Sequence, residues 1–123
     1  MFDSEEAFVG ALRSRFESSL IAVADGRREE YDLLFSREDV EGRFRPEDFD
    51  RIHDGSLLRR DAREDAENVF RAGSLDFAIY TFDEAVVIQF LHGEGSLFVA
   101  FEDGDVPLLQ AVELCSEWVR SDV

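Results

Sequence analysis

The chain has 123 residues, with 29 acidic against 13 basic side chains, a formal net charge of −16 and 45 % hydrophobic residues. That length and apolar share suit one domain, 1–123, with a packed core, and they argue against wholesale disorder. The acid excess argues against direct binding to nucleic acid or to an anionic membrane, because both need clustered cations.

From the N-terminus, Asp3 and Glu6 have capping-box spacing, with Phe2 and Ala7 placed as a hydrophobic staple. Phe8, Leu12, Phe16 and Leu20 then recur every four residues, which predicts an amphipathic helix over about 4–18. Leu20–Ala24 is a short apolar run closed by Asp25-Gly26, and Tyr31, Leu33 and Phe35 alternate with Asp32 and Leu34. These predict a hairpin of strands 20–25 and 30–36 around a polar loop at 26–29. Pro46 suits a first helical turn, with Glu47 and Asp48 at the positive dipole end and Phe49, Ile52 and His53 on one face. Gly55 ends or kinks that helix, and helix resumes over about 56–64. Here Arg59, Arg60 and Arg63 alternate with Asp61, Glu64 and Asp65, which reads as a self-neutralised solvated face.

After residue 66 the pattern turns to strands at 69–72, 75–82, 85–91 and 96–102. The breaks at Gly73-Ser74, Asp83-Glu84 and Gly93-Glu94-Gly95 are short enough for an antiparallel meander. Phe77, Ala78, Ile79 and Tyr80, then Val86, Val87, Ile88 and Phe90, are apolar on both faces; these two strands read as central and covered on both sides. Asp105 caps and Pro107 opens a last helix, whose stripe of Leu108, Leu109, Val112, Cys115 and Val119 is widened by Ala111, Leu114 and Trp118. The expected class is α+β: a central antiparallel sheet of about five or six strands with covering helices, in the order α-β-β-α-β-β-β-β-α.

This order resembles the roadblock and profilin-like layout over about residues 4–120. The stretches Tyr31–Asp39 (YDLLFSRED), Gly73-Ser74-Leu75 and Ala78–Phe90 (AIYTFDEAVVIQF) are similar to small uncharacterised haloarchaeal acidic proteins. The roadblock resemblance implies a non-enzymatic dimerising platform, often one that regulates nucleotide-binding partners. The haloarchaeal resemblance implies no catalytic residue.

All 13 basic residues are arginine, and lysine is absent. Like charges in such excess repel in dilute buffer, whereas at 1 M salt the Debye length shrinks to about 3 Å. The simplest account is a cytosolic protein bathed in molar potassium salt. No signal-peptide h-region or membrane-length apolar run is visible, and one cysteine forms no intrachain disulfide, so a soluble cytoplasmic chain is expected.

Chemistry-bearing constellations are sparse. Asp50, Ile52, Asp54, Gly55 and Asp61 fail a calcium loop, because Ile52 occupies a ligand position. Cys115, His53 and His92 are scattered, without zinc spacing. Cys115 reads as a small core hydrophobe. His92 reads as a solvated strand end and His53 as a cation favoured by a helix C-terminus. Gly93-Glu94-Gly95-Ser96 lacks the third glycine of a dinucleotide loop. No catalytic, cofactor or metal residues are therefore assigned.

Two functions fit. The first is a non-enzymatic interaction platform that associates with itself or another protein, as a homodimer through a sheet edge or through Leu114 and Trp118. The second is a small-molecule-sensing module with an apolar pocket lined by Phe77, Phe90, Phe98 and Phe101. A cavity of roughly 300 Å³ or more discriminates in favour of the second.

Overall fold

The structure, a computed structural model, describes residues 2–28, 30–102, 104 and 107–121. Ser4 opens the first helix, α1 (Glu5–Phe16), by accepting the Ala7 N–H at 3.1 Å on its side chain. Ser4 is thus the cap rather than Asp3, because its extended backbone aims the hydroxyl back at the first turn. Phe8, Leu12 and Phe16 form the buried stripe of α1.

The sheet contains β1 (Leu20–Arg28), β2 (Glu30–Ser36), β3 (Phe77–Thr81), β4 (Ala85–His92) and β5 (Gly95–Glu102), all antiparallel, in the order β2-β1-β5-β4-β3. The class is α+β, as expected. The hairpin is longer than the polar loop expected at 26–29, with β1 running through Gly26 to Arg28; residue 29 lies outside the described residues. Gly26 and Gly95 permit this, because a Cβ on Gly26 would enter the Tyr31 ring and one on Gly95 the Gly26 carbonyl.

Two corrections concern strands. Residues 69–72 form no strand: Val69 and Phe70 complete the last turn of α3 (Arg60–Phe70), which Arg71 closes in the left-handed conformation at φ 51° and ψ 40°. Their branched and aromatic side chains mimic a buried strand, yet they stand 74 % and 76 % exposed. In addition, β3 is an edge strand, and the centre of the sheet is β5, flanked by β1 and β4.

Two further helices complete the fold: α2 (Pro46–Asp54) and α4 (Leu108–Arg120). Asp48 accepts the Arg45 backbone N–H at 3.2 Å and so holds the start of α2. The Asp105 cap expected for α4 lies outside the described residues.

The two sheet faces differ. Val23, Ile88, Phe90, Leu97, Val99 and Phe101 meet Phe8, Leu12 and Phe16 of α1 and Ala111, Cys115 and Trp118 of α4 in one closed core. On the opposite face, Ala24, Tyr31 and Phe98 pack against Phe49 of α2. A register shift between Leu20 and Ala22 sets Ile21 and Ala22 together with Val40 and Phe44 on that side. The second covering layer expected over the sheet is therefore only partial. Among the described residues, no helix is long and apolar enough to cross a membrane.

Candidate functional site

Cross-strand pairing lays a row of small residues over the partly covered face: Ala22 opposite Ala100, Ala100 opposite Val87, and Val87 opposite Tyr80. Phe98, in the next row along β5, packs on Phe49 with ring centroids 5.4 Å apart, and Phe49 reaches Phe44 at 6.0 Å. These rings wall one side, and Tyr80 and Phe82 belong to the β3 side. Between them lies a groove of about 520 Å³, also lined by Ile21, Ile52 and Ala85.

A buried polar network adjoins the groove. Tyr80 donates its hydroxyl hydrogen to Gln89 Oε1 at 2.6 Å. Gln89 Nε2 donates to Ser56 Oγ at 3.0 Å and to Ser96 Oγ at 2.9 Å. Ser96 Oγ lies 2.6 Å from His53 Nδ1. Which of the two atoms donates depends on the tautomer of the ring. Burial pushes the His53 pKa down, correcting the expectation of a helix-end cation. Ser96 N–H donates to Tyr31 Oη at 2.9 Å. Ser96 is fully buried, so its hydroxyl does not face solvent.

A second buried cluster lies under the closed face. His92 Nδ1 is 2.9 Å from Asp25 Oδ1, and Trp118 Nε1–H donates to Asp25 Oδ2 at 3.0 Å. His92 is thus interior and not a solvated strand end; its ring also meets Trp118 edge-on at 5.9 Å.

The structure separates the four phenylalanines proposed for a pocket. Phe98 alone lines the groove. Phe90 and Phe101 are 2 % and 0 % exposed in the closed core, with Phe77 packed on Phe90 at 5.4 Å. The cause is strand alternation: Phe98 faces opposite to Phe101 along β5, and Phe90 pairs with Leu97, not Phe98. Of the partner surface proposed at Leu114 and Trp118, Trp118 is interior whereas Leu114 is half-buried. Trp118 is 1 % exposed and stacked on Phe8 at 5.1 Å, and Leu114 packs against the same core.

The groove residues Ala22, Ala85, Val87 and Ala100, with Phe44 and Phe49, escaped the sequence reading. Their signal is that Ala22 and Ala24 of β1 and Ala100 of β5 share one face while Val23, Leu97, Val99 and Phe101 fill the other. Among the described residues, no three His, Cys, Asp or Glu side chains gather to hold a metal.

A family model described as a domain of unknown function (DUF7522) matches residues 6–120. No curated protein and no solved structure matches the chain.

Proposed function

The chain belongs to the family described as a domain of unknown function, DUF7522, and from that premise we propose that it is a non-enzymatic module that binds a small apolar molecule in the sheet groove. One observation carries this reading: an apolar groove of about 520 Å³ whose floor is alanine and valine and whose walls are aromatic. Small-ligand sites usually span about 300–1,000 Å³, with mostly apolar linings and a few polar groups. Tyr80, Arg43 and Asp48 supply those polar groups. An NMR titration with indole tests the reading. Shifts should concentrate on Ala22, Val87 and Ala100; shifts confined to the closed face, or none at millimolar indole, would refute it.

A second reading is self-association through β3. Edge strands are usually guarded by charge or bulges. The β2 edge carries Glu30 and Asp32 and two register irregularities. By contrast, β3 (FAIYT) has no charge, pairs with β4 without a bulge, and exposes 41 % of Ile79. Apart from Asp76, an uncharged edge suits two copies of a −16 chain, since few like charges meet there. Sedimentation velocity in molar KCl should show a micromolar dimer that Ile79→Lys dissociates. A wild type that stays monomeric counts against it.

The setting belongs to the same proposal: a haloarchaeal, cytoplasmic protein in potassium-rich solvent, supported by the acid excess and the absence of lysine. The likeness to roadblock and profilin-like domains is supported by the order of elements, with α1 and α4 on one face of the sheet and α2 on the other.

A further inference from the structure

The geometry points to a ligand class for the groove: a small molecule with a flat ring system and no anionic group. This inference rests on the groove reading above and adds shape and charge to it.

Shape follows from the register. Ala22, Ala100 and Val87 sit side by side on β1, β5 and β4. Neighbouring strands lie about 4.8 Å apart, so this floor is about 10 Å across. Alanine barely rises above the backbone, so the floor is broad and shallow. The taller side chains, Phe49 and Phe98 towards α2 and Tyr80 and Phe82 towards β3, stand at its borders. A planar ring fills such a trough against the sheet, with ring edges meeting the aromatic walls at the offsets that rings prefer.

Charge follows from the rim. Asp48 lines the groove but is paired with Arg51 at 2.6 Å. The neighbouring cleft shares Ile21, Arg43, Phe82 and Ala85 with the groove and adds Arg37, Asp39, Asp83, Glu84 and Glu102. Arg37 is committed to Asp39 at 2.6 Å and to Glu102 at 2.8 Å. Arg43 shares this cleft with Asp39, whose carboxyl it helps hold low, so two arginines, Arg37 and Arg43, stand against Asp39, Asp83, Glu84 and Glu102, and this side of the rim is negative. An anion entering here meets repulsion from the rim and from the chain's own net charge of −16. A neutral ring meets none, and a cationic one is attracted by both rim and aromatic faces.

Four probes test this by isothermal calorimetry: 2-naphthalenemethanol, 2-naphthylmethylammonium, 2-naphthoate and the open-chain alcohol 1-heptanol. Each is titrated at the lowest KCl concentration at which circular dichroism shows a folded chain, and again at 3 M KCl. The neutral and cationic naphthalenes should bind at least about fivefold more tightly than the naphthoate at the lower salt, with the gap closing at 3 M as screening sets in. Heptanol should bind more weakly than 2-naphthalenemethanol. Ala100→Phe, which fills the floor, should abolish binding. Ala85→Leu, at the rim, should weaken it and serves if the first variant fails to fold. Naphthoate binding as tightly as the alcohol, or heptanol binding more tightly, overturns this inference and leaves the groove reading standing. Absence of binding by all four, or binding that both folded variants retain, overturns both.

Discussion

His53 sits where a helix end would favour a proton, and burial beneath the sheet reverses that preference. Desolvation lowers its pKa from the ordinary 6.5, with Asp54 and Asp50 opposing the shift and Arg63 reinforcing it. The folded chain therefore binds fewer protons at this site than the unfolded chain does. The stability contributed by the neutral ring is fully present above the unfolded pKa and is lost as pH falls through the folded one. Urea midpoints should drop on the acid side of about pH 6.5, and His53→Gln should flatten that part of the profile; an unchanged slope would assign it to other groups. The sequence shows a histidine near a helix end, but not the serine 43 residues away that meets it at 2.6 Å. Cys115 was easier to read, because its helical stripe already implied burial; it is fully buried, and desolvation pushes its thiol up to about 12.

At the level of elements, periodicity made α1, α4 and most strands legible, because each carries its own repeat of apolar residues. Failures arose where the deciding contact is remote. The end of α3 reads locally as a strand because Val69 and Phe70 look buried, and nothing nearby announces that no layer covers them. Trp118 looks like surplus surface in its own helix because its partners, Phe8 and Asp25, lie on α1 and β1. Trp118 fastens α4 to the sheet, so Trp118→Phe should keep the packing yet leave one Asp25 oxygen without its indole donor. The expected cost is about 1–3 kcal/mol, read from chemical denaturation. A variant as stable as the wild type would show that the hydrogen bond adds nothing to the docking of α4.

For the molecule as a whole, the amount of core was legible from composition, but its division between two faces was not. Face assignment depends on register, and a one-residue shift such as that between Leu20 and Ala22 reverses which side chains point inward. Charge acts at the same scale. With no lysine and 29 acids spread over the chain, repulsion is collective and screening relieves it everywhere at once. The unfolding free energy should therefore rise steeply between about 0.1 and 2 M KCl, over which the Debye length falls from about 10 Å to below about 3 Å. A flat salt profile would leave the acid excess in need of another cause.

The chain's single indole is locked against Phe8 and Asp25, with the sheet between it and the groove. Its emission will follow melting of the α4 side while staying silent to whatever occupies the trough. Screening compounds by indole emission would thus return false negatives, and detection has to come from heat, from nuclear spins on the alanine floor, or from a chromophore carried by the guest itself.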